Sequence, residues 1–284
     1  MSKKATKQKE ERALVKPMDK LKAVLSVESV QQQFRNALAE NAGAFTASII
    51  DLYGSDNYLQ QCDPNQVVME ALKAATLKLP INKQLGFAWI VPYKVKGKPT
   101  PQFQIGYKGY IQLAMRTGQY RCINADAIYE GCEVEREIPT GDIWIKGTPT
   151  SDKPIGYFAY FELLNGFSKT SYMTRVEMEA HGKRYSPSYG MANSAWTTDF
   201  DEMAKKTMIR QLLSKYGYLT TEMMTALTSD TEDVEDRVET EIEMEANTEE
   251  LDMDMVIEME VDEDGTHKPK TKESKQATMD GPGF

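Results

Sequence analysis

The separation of charge along the chain is the feature that most limits how it can fold. Residues 228–284 carry 20 acidic and 5 basic side chains, a net charge of -15, whereas residues 1–227 carry 23 acidic and 29 basic ones, a net charge of +6. A block so acidic and so poor in aromatic residues buries too little apolar surface to offset the conformational entropy of folding. We therefore predict a flexible basic arm over residues 1–20, a folded core over 21–227 and a disordered acidic tail over 228–284. A basic core is typical of proteins that bind polyanions.

The signatures of several protein classes are absent from the sequence. The chain has no apolar run of about 18 residues and no apolar stretch after its first lysines, so we expect a cytoplasmic protein without a membrane span or signal peptide. Its three cysteines form no CxxC pair and its two histidines lie far apart, which argues against a disulfide framework and a structural zinc site. Gly97-Lys98 is followed by Pro99, so the phosphate-binding loop of ATP-driven recombinases and helicases is not encoded.

Hydrophobic periodicity predicts helices at both ends of the core, and between them strands with one short helix. The predicted helices cover residues 26–38, 44–59, 63–79, 110–117, 174–182 and 200–216. The predicted strands cover residues 86–95, 102–106, 120–130, 142–146, 155–164 and 168–173. The first two strands form a hairpin with a stiff basic turn over 96–101, and residues 183–198 form a long loop. The expected fold class is α+β, an antiparallel sheet with a hairpin, flanked by helices.

Basic and aromatic residues alternate at several places in the core, a composition with which sequence-tolerant single-strand binders hold phosphates and stack bases. Lys206 and Arg210 lie four residues apart and therefore on one face of the last predicted helix, beside Lys205. The candidate nucleic-acid contacts are Lys94, Lys96, Lys98, Tyr107, Lys108, Tyr110, Arg116, Arg121, Lys183, Arg184, Trp196, Lys205, Lys206 and Arg210. A plainer interpretation stays open, because pairs such as Asp201 with Lys205 also indicate a solvated helix face, and single aromatic residues usually pack in cores.

Two other functions compete with sequence-independent DNA binding. Scattered carboxylates are residues of the type that hold two magnesium ions in nucleases. They are Asp142, Asp152, Glu162, Asp201 and Glu202. A regulator with a recognition helix is the second alternative, and it would show a sequence preference that a phosphate reader lacks. Since the chain has no GxSxG or HExxH motif, we assign no catalytic residue and no metal ligand.

Four stretches of the core resemble the RecT family of phage single-strand DNA annealing proteins. They occur in family order as Cys62-Asp63-Pro64, LKLPINKQLGFAWIVPYKVKG at 77–97, QFQIGYKGYIQLAMRTGQY at 102–120 and DEMAKKTMIRQLLSKYGYL at 201–219. QIGYKG and MAKKT are the specific parts of these stretches. The resemblance covers about residues 20–227 and leaves the function of the acidic tail open.

This resemblance implies an ATP-independent protein that binds single-stranded DNA and anneals complementary strands during phage homologous recombination. It implies a homo-oligomer, either a ring or a helical filament, that works with a phage exonuclease and contacts the host single-strand-binding protein. The annealed duplex is the second expected DNA partner, and no membrane is involved. We expect no bound cofactor, at most a weak dependence on magnesium, and a non-enzymatic action in the cytoplasm of the bacterial host of the phage or prophage.

The acidic tail has three interpretations. Its charge can compete with DNA for the basic core, its apolar residues among carboxylates can fold onto a partner, or it can simply keep the chain in solution. Its end, Asp280-Gly-Pro-Gly-Phe284, is loosely similar to the tips of bacterial single-strand-binding proteins.

Overall fold

The computed structural model of the chain consists of two units that divide between Asp236 and Arg237. The described residues are 16–95, 97–230, 259–261 and 267–269. No helix within these ranges is long and apolar enough to span a membrane. Residues 1–15 of the predicted arm, Lys96 and most of the predicted acidic tail lie outside the described residues.

Four helices form the first part of the first unit. They are α1 (Pro17–Ser26), α2 (Glu28–Leu38), α3 (Ala42–Ser55) and α4 (Pro64–Thr76). Their apolar stripes face inward, and Leu21, Ile49 and Val67 are fully buried in one shared core. The predicted N-cap of α4 is confirmed, because the Asp63 side chain accepts a hydrogen bond from the N–H of Asn65 at 3.0 Å. Helix α1 was not predicted, since its first residues lie in the segment that the charge pattern assigned to the arm.

The predicted hairpin is present, with a shorter turn than expected. Its strands are β1 (Ala88–Val95) and β2 (Lys98–Ile105). Val95 pairs with Lys98, which leaves two residues in the turn in place of the six predicted over 96–101. Gly97 in this turn has a φ of +83°, which two-residue hairpin turns require and a residue without Cβ adopts freely. Pro99 was interpreted as part of the turn, but a two-stranded hairpin has free strand edges where proline is tolerated.

One helix and five strands follow the hairpin. In chain order they are α5 (Tyr107–Arg116), β3 (Tyr120–Tyr129), β4 (Cys132–Arg136), β5 (Ile143–Gly147), β6 (Pro154–Leu163) and β7 (Ser168–Thr174). Strand β6 lies between β3 and β7 in an antiparallel sheet, and β4 and β5 form a separate hairpin. The sheet is anchored in the core by Tyr157, Ala159 and Phe161 of β6, all fully buried. Strand β4 was not predicted, because its residues are mostly charged and neither of its faces is buried.

Four further helices follow in the described part of the first unit. They are α6 (Arg175–Tyr185), α7 (Ala195–Thr198), α8 (Phe200–Tyr216) and α9 (Thr221–Ser229). The capping box predicted for α6 is confirmed by reciprocal hydrogen bonds between Thr174 and Glu177. Helix α8 has the predicted bounds and packs against β6 and α5. Helix α6 extends into the loop predicted over 183–198, and α9 was not predicted.

The folded core extends beyond the predicted boundary at residue 227. Helix α9 continues to Ser229, and the next residue, Asp230, is only 2% exposed. The first carboxylate of the acidic block is therefore part of the core. In the second unit, the described residues form β8 (Met259–Val261) and β9 (His267–Pro269), an antiparallel pair where no regular structure was predicted. The architecture confirms the α+β class, with antiparallel sheets flanked by helices.

Candidate nucleic-acid interface

The β1–β2 hairpin has one buried face and one half-exposed face, as the period of two along a strand requires. Ile90 and Phe103 point into the core. Trp89 and Tyr93 lie on the opposite face, where both rings are half-buried. Gln104 is opposite Trp89 in the register, and its Nε2 donates a hydrogen bond to the Tyr93 hydroxyl at 2.7 Å. The half-exposed face therefore presents two aromatic rings with an amide between them.

Two glycines allow this face to pack closely against the start of α5. A Cβ atom at Gly106 would overlap the Trp89 ring, and one at Gly109 would overlap the main chain just before β1. The ring of Trp89 and the side chain of Lys108 both approach Gly86, each 3.6 Å from the place where its Cβ would lie. The glycines of the GYKG sequence thus serve close packing and bring Lys108 next to Trp89.

Tyr107, the first residue of α5, lies close to two ammonium groups. The Nζ of Lys205 is 4.8 Å from the centre of its ring, and the Nζ of Lys108 is 5.9 Å from it. Lys205 also forms an ion pair with Glu202 at 2.6 Å. Burial lowers the pKa of Lys205, but the hydrogen bond to Glu202 and the negative charges of Glu202 and Asp126 outweigh it and raise the pKa above its usual value. Lys205 is therefore a stable cation beside an aromatic ring.

We call the surface formed by Trp89, Tyr93, Tyr107, Lys108 and Lys205 the aromatic–cationic face. The contacts described above make it continuous across β1, the start of α5 and α8. Helix α5 begins at this face without a side-chain N-cap, so its first backbone N–H groups and the positive end of its dipole add to the attraction for phosphate. Chemically, such a face holds phosphates through cations and stacks bases on aromatic rings.

Three of the predicted DNA contacts lie in the core, which corrects their assignment. Tyr110, Trp196 and Lys206 are 0%, 3% and 4% exposed. The Tyr110 hydroxyl donates to Asp230 Oδ2 at 2.8 Å, and Lys206 Nζ donates to Asp230 Oδ1 at 2.9 Å. Trp196 packs edge-on against Phe200, with ring centres 5.5 Å apart. In this structure none of the three side chains reaches the surface, so none is placed to contact DNA.

The helix face that carries Lys206 and Arg210 is linked by hydrogen bonds to α9 and to Asp230 just after it. Arg210 Nη2 donates to the carbonyl oxygen of Leu227 at 3.3 Å, and the ammonium group of Lys206 is covered by Asp230. The spacing correctly placed both cations on one face of α8. The predicted surface took no account of α9, because this helix was not predicted and residues 228–230 were assigned to the acidic tail.

Three more predicted cations lie at two other places on the surface. Lys94 and Lys98 are exposed at the end of the hairpin. Arg116 is exposed, but its guanidinium donates to the carbonyl oxygens of Leu77 and Lys78, both at 2.8 Å. Arg116 therefore satisfies carbonyl groups at the C-terminal end of α4, which limits its freedom to contact a phosphate.

The exposed end of α6 forms a second basic region. Lys183 Nζ lies 6.0 Å from the ring centre of Tyr189, and the Arg184 guanidinium lies 5.2 Å from that of Tyr185. Cations at a helix C-terminus also interact favourably with the helix dipole. This region keeps the predicted pairing of basic and aromatic side chains, at a different place from the aromatic–cationic face.

The carboxylates of the nuclease alternative are dispersed over the surface. Their positions are Asp142 beside Lys169, Asp152 in an exposed turn, Glu162 beside Arg121, Asp201 beside Tyr157 and Glu202 beside Lys205. Arg121, another predicted DNA contact, is 2.8 Å from its glutamate partner and remains exposed. Within the described ranges, no three His, Cys, Asp or Glu side chains are grouped so as to hold a metal ion.

Trp89 was not among the predicted contacts, although the sequence contains a signal for it. Trp89, Val91, Tyr93 and Val95 alternate along β1 and therefore share one face. Because the residues between them are also mostly apolar, the alternation does not show which of the two faces is buried.

Comparison with known proteins agrees with the resemblance of the motifs. The model of the RecT family matches residues 43–246. The match includes Asp230, which is buried in the core although it lies after the predicted boundary at residue 227. The chain is 46% identical over 256 residues to the uncharacterized protein YqaK of Bacillus subtilis (strain 168), covering 89% of this chain and 84% of YqaK. It is 33% identical over 178 residues to protein RecT of Escherichia coli (strain K12), covering 61% of this chain and 65% of that protein. The chain belongs to the RecT family, whose members bind single-stranded DNA, oligomerise and anneal complementary strands in recombination.

Proposed function

We propose that this chain binds single-stranded DNA across the aromatic–cationic face and anneals it with a complementary strand without ATP. The observation that carries the proposal is the position of Tyr107, whose ring centre is 4.8 Å from the Nζ of Lys205 and 5.9 Å from the Nζ of Lys108. Two ammonium groups beside a half-exposed ring are suited to hold the phosphates that flank a base stacked on that ring.

Annealing requires that the charge of two strands is neutralised while the pairing edges of the bases stay free. In the proposed mode, Lys108 and Lys205 contact phosphates, and Trp89 and Tyr107 contact the flat faces of bases. Both kinds of contact are independent of sequence. Stacking of about 1.4 kcal/mol per base-pair step then drives the pairing, so that no ATP and no covalent step is needed.

The proposal includes an assembly of many copies. A head-to-tail contact between copies produces a ring or a helical filament, which repeats the same face along one long strand. The proposed partners are a phage exonuclease that exposes the strand, the host single-strand-binding protein and the annealed duplex. The proposed setting is the cytoplasm of a bacterial host that carries the phage or prophage gene, and we propose no bound cofactor.

Salt dependence of DNA affinity tests the phosphate contacts. Lys108→Ala and Lys205→Ala should each lower the slope of log affinity against log salt by about 0.7, the value for one lost phosphate contact on a single strand. Lys153→Ala is the matched control, because Lys153 is 73% exposed, pairs with Glu130 and lies outside the face. Unchanged slopes in both face variants would mean that DNA binds elsewhere on the protein.

The affinity of a Trp89 variant tests the stacking contact. Trp89→Ala should weaken the binding of a thymidine oligonucleotide by about 5- to 150-fold, which corresponds to about 1–3 kcal/mol for one base stacked on an aromatic ring. Trp144→Ala is the control, because Trp144 is 47% exposed on the separate β4–β5 hairpin. Equal losses in the two variants would argue against a specific role of Trp89.

End-labelled strands separate annealing from nuclease activity. The proposal predicts an annealed product with full-length strands both in EDTA and with magnesium, because the cations of the face neutralise the phosphates. Shortened strands that appear only with magnesium would favour the nuclease alternative.

A further inference from the structure

A small cavity lies between α6, α8 and α9. Its volume is about 180 Å³, and it is lined by His181, Thr207, Arg210, Gln211, Ser214 and Leu227. Arg210 follows Lys205 by five positions on α8, which is about 140° around a helix that turns by about 100° per residue. The cavity therefore lies on a different side of α8 from the aromatic–cationic face.

The cavity wall carries a cation and no carboxylate. Arg210 has five N–H donors, and its Nη2 donates to the carbonyl oxygen of Leu227 at 3.3 Å. Among the residues that the structure describes, no carboxylate lies within ion-pair distance of this guanidinium. Most of its hydrogen-bonding capacity is thus available to a ligand in the cavity.

Neutral groups around Arg210 complete the wall. The Thr207 and Ser214 hydroxyls donate to helix carbonyl oxygens at 3.0 and 3.1 Å, so the further donors for a ligand are His181 and Gln211. Burial lowers the pKa of His181, and the nearby charge of Arg210 lowers it further. The imidazole, whose ring centre is 4.6 Å from that of Tyr185, is therefore neutral at pH 7 and donates one N–H.

We propose that this cavity is an oxyanion site that holds a phosphate group between Arg210 and His181. A guanidinium group matches two oxygens of a phosphate with parallel N–H···O bonds. Since one water needs only about 10–15 Å³ of a cavity, this one accommodates a phosphate and some of its water. Lys183 and Arg184, exposed at the end of α6, add attraction for anions. The site goes beyond the annealing face and does not depend on Trp89 or Tyr107.

NMR of the full chain tests the proposal with little ambiguity, because His181 and His267 are its only histidines. The titration of both imidazole rings is followed with inorganic phosphate and with chloride at equal ionic strength. Phosphate should raise the midpoint of His181 by about one pH unit relative to chloride, since an adjacent anion favours the imidazolium ion. His267 serves as the internal reference and should titrate alike in both salts.

Variants of the cavity wall test whether the effect of phosphate on His181 arises in this cavity. Arg210→Gln should abolish the effect of phosphate on His181, and Arg210→Lys should retain part of it. Arg136→Gln is the control, because Arg136 is exposed on the separate β4–β5 hairpin, does not line the cavity and should leave the effect intact. If Arg210→Gln does not fold, the titration of the natural chain and of Arg210→Lys still decides the question.

A thymidine oligonucleotide without terminal phosphates distinguishes the two sources of the phosphate group. A shift of the His181 signal with the oligonucleotide identifies a phosphodiester of bound DNA, and a shift with inorganic phosphate alone identifies a free phosphate; both results support the site. No shift with either ligand, or an equal shift in chloride, overturns it. Because Trp89→Ala weakens only the annealing face, a normal His181 response in that variant separates this site from the proposed function.

Discussion

Replacing Asp230 by alanine should leave a buried ammonium group without its counter-charge. Asp230 Oδ1 accepts hydrogen bonds from Lys206 Nζ at 2.9 Å and from the N–H of Ile105 at 3.2 Å, and Oδ2 accepts from the Tyr110 hydroxyl at 2.8 Å. Lys206 and Asp230 are 4% and 2% exposed, so water does not replace these bonds. One carboxylate thus joins β2, α5 and α8 to the end of α9.

The expected loss of stability is large. Breaking a buried ion pair by removing one partner costs about 3–5 kcal/mol, against a total free energy of unfolding of about 5–15 kcal/mol for a typical domain. At about 2–4 °C per kcal/mol for a domain of this size, Asp230→Ala should lower Tm by about 6–20 °C. Adding Lys206→Met should recover part of the loss, because the double variant contains no unpaired buried charge.

Thermal unfolding followed by circular dichroism measures these effects. A chain that ends after Leu227 lacks Asp230 and should lose similar stability, whereas a chain that ends after Asp236 should keep the Tm of the full chain. Glu135→Ala is the control, because its pair with Lys146 is exposed and contributes at most about 1 kcal/mol. A Tm for Asp230→Ala within about 2 °C of the natural chain would refute this account of the buried pair.

Other variants test the packing at two glycines, the effect of the acidic segment on DNA binding and the titration of His181. Gly109→Ala should destabilise the core strongly, because its Cβ would overlap the main chain before β1, whereas Gly43→Ala, with open space around it, should raise Tm slightly. Residues 237–284 carry 15 acidic and 5 basic side chains, so the chain that ends after Asp236 should bind DNA more tightly at low salt; equal affinity in fluorescence anisotropy would exclude competition by this segment. Because the folded-state pKa of His181 is lowered, the unfolded chain binds a proton there first, and stability falls as pH drops below about 6.5. His181→Gln should therefore reduce the loss of Tm on acidification.

Long periodic segments with clear end signals were predictable from the sequence. The N-cap at Asp63, the capping box at Thr174 and the full extent of α8 all follow from local rules that do not depend on distant residues. Helix α9 was missed because its short amphipathic pattern runs directly into the acidic block. Averaging charge over residues 228–284 hid a carboxylate, Asp230, that is buried in the core.

The candidate site was predictable only in part, because distant packing decides which of its residues reach the surface. Tyr107, Lys108 and Lys205 were named from composition and are brought together by the fold. Tyr110, three residues beyond Tyr107 on the same helix, carries the same composition signal and lies in the core. Which of two nearby tyrosines faces the core depends on the packing of α5 against α8, and local spacing does not contain this information.

The buried contacts of Asp230 and the aromatic–cationic face lie on neighbouring residues of the same elements. Consecutive side chains of a helix point about 100° apart, so Lys205 leaves α8 toward Tyr107 while Lys206 leaves it toward Asp230. The distance from Lys205 to Tyr107 therefore depends on how α8 packs against α5, and Asp230 holds both helices. Asp230→Ala should consequently weaken the binding of single-stranded DNA even well below its own Tm, where circular dichroism still shows a folded chain. Normal affinity under that condition would mean that the face keeps its geometry without the buried pair.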